Sequence, residues 1–172
     1  MPLHIKRWAI SHIRYDYTRT YALELCFHFV HNFEELKAIR FGILRSHIES
    51  KIRKDETPLH PVIKEVVEIL GRKKLNNPKI PSMITTYFID MQKVIPGWFK
   101  VLAPGAKIAM VVDNVRFEGD LIPGDLVPSD MAEEEGFGVK GIIVARYKSN
   151  SSQQMRKYGR VPVRESIVIW VR

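Results

Sequence analysis

The sequence predicts an α/β fold that corresponds to one side of an open, doubly wound sheet. The apolar run 106–112 follows a turn at 102–105, and such a run is typical of a parallel strand covered on both faces. The stretch from Ser82 to Ile95 repeats apolar residues every three or four positions, which predicts a long helix that Ser82 caps. Two further strands are predicted at 141–147 and 166–171, and we expect them to pair antiparallel across a polar, basic loop.

Helices are predicted on either side of the apolar run. Between Asp16 and Ser50 the pattern indicates two helices, with Asn32 as the N-cap of the second. A helix over 61–70 begins with a proline and ends at Gly71. A short helix over 126–135 is expected after a polar connection, capped by Asp125 and ended by Gly136.

Length and composition predict one domain over 1–172. The chain has 172 residues, 45% of them hydrophobic and 27% charged, which is ordinary for a globular domain. Within it we distinguish an atypical N-terminus at 1–13, a helical region at 14–81 and an α/β part at 82–172. The apolar runs are too short to span a bilayer, and no secretory signal is recognisable. We therefore expect a cytoplasmic protein without membrane contact.

Basic residues are concentrated at the C-terminus. The formal net charge is +8, and the segment from Lys140 to Arg172 holds eight Lys and Arg residues against one acidic residue, Glu165. Such a segment suits a polyanion, whose phosphates each release a counterion when a cation binds. A solvated basic tail explains the same count, so charge alone leaves both interpretations open.

Several kinds of chemistry lack their sequence patterns. Neither G-x-G-x-x-G nor a P-loop occurs, and no serine-hydrolase elbow is present. His28 and His31 have no companion ligand, so we predict no metal site. The single cysteine, Cys26, has no partner for a disulfide, and its apolar neighbours predict a buried structural thiol.

Three blocks of sequence carry a resemblance to a known family. The first is 14–25, which contains Tyr-Asp-Tyr-Thr, and the second is 44–47, Leu-Arg-Ser-His. The third begins at Tyr87 and includes 102–105, the stretch 111–116 of Val-Val-Asp-Asn-Val-Arg, and 164–167 of Arg-Glu-Ser-Ile. Their order and combination resemble the part of a site-specific DNA methyltransferase, of the adenine-N6 or cytosine-N4 type, that follows the catalytic motif.

This resemblance implies a partial Rossmann-like methyltransferase sheet and methyl transfer from S-adenosylmethionine to an exocyclic amine of a flipped DNA base. The family's motif, in which Asp, Asn or Ser precedes two prolines and an aromatic residue, is expected near Trp8, Ala9, Ile10 and Ser11. It is not present there, and the glycine-rich cofactor loop has no counterpart. We therefore expect an incomplete enzyme, inactive alone, that self-associates or needs a second chain carrying the missing half.

The resemblance also suggests site residues. Asn114 and Arg116, at the end of the central strand, are candidates for cofactor binding. For Asp16 and Tyr17 a helix cap and a core aromatic are the simpler explanation. The candidate DNA contacts, chiefly on the loop between Lys148 and Arg164, are Asp16, Tyr17, Arg19, Arg45, Lys148, Ser151, Ser152, Gln153, Arg156, Lys157, Arg160 and Arg164.

Two other functions remain open at the level of sequence. The chain is alternatively a non-catalytic module that binds nucleic acid or a partner through its basic surface. RNA is a further possible substrate, because RNA methyltransferases share the sheet and the amine chemistry.

Overall fold

The computed structural model describes residues 7–11, 13, 15–42, 44–48, 57–150 and 152–172. The predicted α/β class is confirmed. The elements in chain order are β1 (Arg7–Ser11), α1 (Tyr17–Thr20), α2 (Ala22–His28), α3 (Phe33–Gly42), α4 (Pro61–Gly71), α5 (Ile80–Val101), β2 (Lys107–Asp113), β3 (Val115–Phe117), β4 (Asp120–Ile122), α6 (Leu126–Glu135), β5 (Gly138–Ser149), α7 (Ser152–Tyr158) and β6 (Pro162–Val171).

Four strands form the main sheet, in the order β1-β2-β6-β5. β1 runs parallel to β2, and β6 runs antiparallel to both β2 and β5, so the predicted antiparallel pairing of the last two strands is confirmed. β1 was not predicted, because five residues are too few to show a periodicity. Its last residue, Ser11, is in register with Val112 near the carboxyl end of β2.

The core lies between one face of this sheet and the helices α4, α5 and α6. Met110 of β2 and Trp170 of β6 are fully buried there, as are Ile84 and Phe88 of α5. Burial alternates along β2, whose other face is only half-buried. The expectation that β2 is covered on both faces is therefore wrong for the described part of the chain.

Most predicted helices are confirmed, with shifted boundaries. α5 begins at Ile80 instead of Ser82, because Pro81 fits the first helical turn, and it continues through Pro96. Asn32 caps α3 as predicted: its Oδ1 accepts a hydrogen bond from the Glu35 amide at 2.9 Å. α6 ends at Gly136, whose φ of 108° is the left-handed conformation that favours glycine.

Short elements and one burial prediction differ from expectation. Between Asp16 and Ser50 the described residues form three helices instead of two, and the hairpin β3–β4 and helix α7 occupy stretches expected to be loops. The first predicted helix divides at Tyr21 into α1 and α2, and β3, β4 and α7 are too short for a periodicity to be read from sequence. Cys26 is exposed, not buried, because its apolar neighbours Leu23 and Phe27 are themselves 68% and 75% exposed on α2.

Gly124 packs against the backbone at the end of β2 and leaves no room for a side chain. A Cβ at this position would lie 2.2 Å from the carbonyl oxygen of Asp113, at the end of β2. Gly124→Ala should therefore lower the free energy of unfolding by about 2 kcal/mol through overpacking. Gly97→Ala is the control, because a Cβ there meets nothing within 4 Å and should stabilise α5 by about 0.5 kcal/mol. Urea unfolding that gave equal values for both variants would contradict this contact.

Candidate functional site at the carboxyl end of the central strand

A cleft of about 170 Å³ opens where β2 ends. It is lined by residues 113–117, by 148–150 at the end of β5 and by Val163 of β6. The structure thus brings together the two predicted cofactor residues, Asn114 and Arg116, and one predicted DNA contact, Lys148. The backbone position expected for the catalytic motif lies beside it, because Ser11 ends the neighbouring parallel strand. In open α/β sheets this is the edge at which ligands bind.

Asn114 and Arg116 make different contacts at the end of β2. Asn114 is 4% exposed. Its side-chain Oδ1 accepts a hydrogen bond from the backbone amide of Asp125 at 3.2 Å, and its backbone amide donates to Arg164 O at 3.0 Å. It therefore fixes the turn after β2. Arg116 donates from Nη1 to Gly119 O at 2.6 Å, and its buried Nε has no hydrogen-bond partner among the described residues. Arg116, which lines the cleft, thus has an unused donor at Nε.

An ionic cluster closes one side of the cleft and joins three strands. Lys148 of β5 lies 2.5 Å from Asp113 of β2 and 2.7 Å from Glu165 of β6. Arg146 contacts the same Glu165 carboxylate at 2.8 Å. Burial opposes ionisation of Glu165, but the hydrogen bonds from Arg146 and Lys148 outweigh it and lower its pKa to about 2. The Glu165 carboxylate therefore stays ionised at neutral pH.

A second ion pair lies beneath the cleft. Asp125 is completely buried, and its Oδ2 accepts hydrogen bonds from Arg164 Nε at 2.6 Å and Ser166 Oγ at 2.7 Å. Burial would raise the pKa of Asp125, but these bonds from Arg164 and Ser166 lower it overall. Asp125 occupies the N-cap position of α6, yet its side chain makes no capping bond. The predicted cap is wrong in this respect, because the carboxylate is held by β6 instead.

The N-terminal block is built around Asp16 and Arg45. Asp16 caps α1, accepting hydrogen bonds from the Thr18 and Arg19 amides at 3.0 and 3.3 Å, as the simpler explanation predicts. The Tyr17 ring stacks on Tyr21 with centroids 6.4 Å apart. Arg45 is held by Asp90 of α5, with Nη2 2.5 Å from Oδ1, and its side chain is only 12% exposed. Of this group of candidates, Arg19 presents the most exposed side chain, at 60%.

Three of the eight basic residues in the C-terminal segment form ion pairs with acids from elsewhere in the chain. Lys148, Lys157 and Arg164 pair with Asp113, Glu118 and Asp125, all of which precede the segment. The count of basic residues therefore overstates the charge available to a polyanion.

The remaining candidates in this segment lie on and beside α7. Ser152, Arg156 and Arg160 are exposed, and Arg160 also donates from Nε to Ser149 Oγ at 3.1 Å. Ser151 lies outside the described residues, and only the backbone of Gln153 is described. Sequence reasoning missed Glu118, whose contact with α7 depends on a hairpin that no pattern indicated.

Neither a metal site nor a membrane span is found where the structure is described. The described residues contain no group of three potential His, Cys, Asp or Glu ligands, and none of their helices is long and apolar enough to cross a membrane.

Comparison with known proteins identifies relatives over nearly the whole chain. The chain is 36% identical over 182 residues to the type II methyltransferase M.BsoBI of Geobacillus stearothermophilus. It is 40% identical over 171 residues to the type II methyltransferase M.AvaI of both Nostoc sp. and Anabaena variabilis. No protein-family model matches the chain, and no solved structure does.

These alignments cover 91% of this chain but only 35–36% of each relative's length. The resemblance to a DNA methyltransferase that the sequence shows is thus confirmed by relatives that match 91% of the chain. By sequence, the chain is related to the type II DNA methyltransferases, and it spans about a third of the length of those proteins.

Proposed function

We propose that this chain is the C-terminal, DNA-facing part of an S-adenosylmethionine-dependent DNA amino-methyltransferase. The observation that carries the proposal is the 36–40% identity to type II methyltransferases over 91% of the chain. The cleft at the carboxyl end of β2 supports it, because that is where an open α/β sheet binds its ligand. The 172 residues alone lack the expected catalytic motif and glycine-rich loop, so the remainder of such an enzyme has to come from another polypeptide segment.

Arg116 is the residue that best fits a role in holding the cofactor. S-adenosylmethionine carries a carboxylate, and the buried Arg116 Nε is a donor without a partner among the described residues. When bound, the cofactor supplies the methyl group that passes from its sulfonium to the amine. Asn114 contributes by fixing the turn that places Arg116 at the cleft.

The open face of the sheet supports a second polypeptide segment as partner. Val111, Ile167 and Ile143 are neighbours across β2, β6 and β5, on the face opposite the helices. Ile143 is 52% exposed. β1 is also an edge strand, with pairing on one side only in the part of the chain described. A segment carrying further strands and helices would pair with that edge and cover the apolar face. Self-association through the same face is the other way to cover it.

The basic surface near α7 is the proposed DNA contact. We expect the chain to bind a duplex of about 20 base pairs, with an affinity that falls with salt. The slope of log K against log salt should be about −2 to −4, since few of the basic side chains are unpaired and exposed. Fluorescence anisotropy at several salt concentrations measures this slope. Calorimetric titration with S-adenosylmethionine should show no saturable binding to these residues alone.

Two results would change the assignment. A chain that binds no duplex DNA at low salt loses its proposed DNA contact, and preference for duplex RNA of the same sequence would make RNA the substrate. Saturable cofactor binding at a stoichiometry near one would show that these residues form a cofactor pocket by themselves. The exposed Arg156 and Arg160 also favour a second candidate, a non-catalytic nucleic-acid-binding module, which shares the DNA binding but never gains methyl transfer.

A further inference from the structure

The short helix α7 is attached to the hairpin β3–β4 by its own side chains. Lys157 Nζ lies 2.5 Å from Glu118 Oε2, and the Tyr158 hydroxyl donates to the same oxygen at 3.0 Å. On the next residue of the hairpin, the Gly119 amide donates to Gln154 Oε1 at 3.3 Å. Three residues of α7 therefore contact two residues at the hairpin tip.

The hairpin tip has two consecutive residues with positive φ, a conformation that is unfavourable for residues other than glycine. Glu118 has a φ of 46°, which is unfavourable for a residue with a side chain, and Gly119 follows with a φ of 87°. A Cβ on Gly119 would lie 3.2 Å from the Tyr158 ring, so the tip fits closely against α7. The pairing with Lys157 and Tyr158 offsets the strain at Glu118.

The other side of the hairpin is fastened to the helical layer. Lys73, just after α4, donates from Nζ to the Glu118 carbonyl at 3.1 Å and to Asp120 Oδ2 at 2.7 Å. The hairpin thus links the body of the protein to α7. A helix of this length is not stable alone in water, so its orientation depends on these contacts.

The neighbouring basic residues Arg156 and Lys157 of α7 differ in whether their charge is already paired. The hydrogen bonds that Lys157 makes with Glu118 and Tyr158 raise the pKa of Lys157 to about 12. The hydrogen bonds that Glu118 accepts from Lys157 and Tyr158 lower the pKa of Glu118. Lys157 is therefore committed to the hairpin. Arg156, the preceding residue, is exposed, and so is Arg160, which follows α7 and donates from Nε to Ser149 Oγ at 3.1 Å.

We infer that Arg156 and Arg160 form a surface that binds the DNA backbone, that Glu118 is its positioning residue, and that Lys157 anchors α7 to Glu118 instead of contacting phosphate. This inference rests on the proposed function for its choice of DNA as the polyanion. A negatively charged residue near DNA ordinarily weakens binding by repelling the phosphates. The inference gives Glu118 the opposite effect, because it positions α7.

The test compares two variants of the full chain that remove one negative charge each from the same hairpin. Glu118→Asn keeps a residue that tolerates positive φ but is too short to reach α7. Asp120→Asn removes the charge that pairs with Lys73 and keeps an amide oxygen that accepts the Lys73 hydrogen bond. General electrostatics predicts that both variants bind duplex DNA equally or slightly more tightly. We expect Glu118→Asn to weaken binding at least fivefold and to flatten the salt dependence, while Asp120→Asn binds as tightly as the unmodified chain or better.

Hydrogen exchange supplies the second measurement. In Glu118→Asn the amides of α7 should exchange faster, while those of β2 and β6 keep their protection. Arg156→Gln should weaken DNA binding and reduce the magnitude of the salt slope by about 1, with no change in α7 exchange. Unchanged DNA affinity in Glu118→Asn, with or without faster exchange, overturns the inference and leaves the proposed DNA binding standing. Failure of the unmodified chain to bind duplex DNA overturns the DNA contact itself, and the inference with it.

Discussion

Replacing Asp125 with alanine should lower the free energy of unfolding by about 3 kcal/mol, because it removes one partner of a buried ion pair. The Asp125 carboxylate is completely buried and is bonded to Arg164 and Ser166 of β6. Without it, the buried Ser166 hydroxyl loses its acceptor and Arg164 loses its counter-charge. Arg164 is 34% exposed and can be partly solvated, which keeps the loss at the lower end of the usual range for such pairs.

Asp130→Ala on the same helix is the matched control. Asp130 is 57% exposed, and the His60 Nε2 atom lies 3.9 Å from its Oδ2. Its removal should change the free energy of unfolding by no more than about 0.5 kcal/mol. Urea unfolding at pH 7 that gave both variants the same loss would refute a special contribution from the Asp125–Arg164 pair.

The pH dependence of the Asp125 effect has a defined sign. Its folded-state pKa is lowered from the ordinary value of 3.8, so its contribution to stability is fully present above that value. As the pH falls below 3.8, the unfolded state gains a proton first, and the contribution decreases. The difference between the unmodified chain and Asp125→Ala should therefore be constant from pH 7 down to about pH 5 and shrink at pH 3.

The sequence predicts the long elements of this fold and misses the short ones for the same physical reason. α4, α5, α6, β2, β5 and β6 each extend over enough residues for a helical or strand periodicity to be recognised. α7, β3 and β4 are shorter, and they are held in place by contacts with distant residues. Lys73, Glu118 and Lys157 illustrate this, since three separate segments meet at one hairpin tip.

The candidate site was predictable in position but not in chemistry. Asn114 and Arg116 were expected at the end of the central strand, and they lie there, beside the cleft. That Asn114 is engaged with Asp125 while Arg116 keeps an unused donor depends on tertiary contacts that no local pattern shows. The charge of Lys148 is likewise apparent in the sequence, whereas its pairing with Asp113 and Glu165 is a product of strand register.

Mixing the chain with the remainder of a methyltransferase should produce the largest functional effect. We expect neither polypeptide alone to transfer labelled methyl groups from S-adenosylmethionine to duplex DNA. A mixture with a segment that carries the glycine-rich loop and the catalytic motif should transfer them at a rate at least about 100-fold above background. A gain of this size is reasonable because electrostatic and positioning effects at an assembled site each contribute orders of magnitude.

A substitution on the open sheet face distinguishes true assembly of the two segments from contamination of the sample by a complete enzyme. Ile143→Glu places a charge on that face at a residue already 52% exposed, so the chain should still fold but the mixture should lose its activity. Val101→Glu is the control, since Val101 is 72% exposed at the end of α5, in the layer on the opposite face. Equal activity of both mixtures would show that the open face is not the contact. A mixture of well-folded segments with no transfer at all would refute the split enzyme, and salt-dependent DNA binding would then identify the chain as a non-catalytic module. The experiment is decisive because DNA binding is expected of both candidate functions, whereas methyl transfer is expected only of the proposed split enzyme, once a segment that holds the cofactor joins the chain.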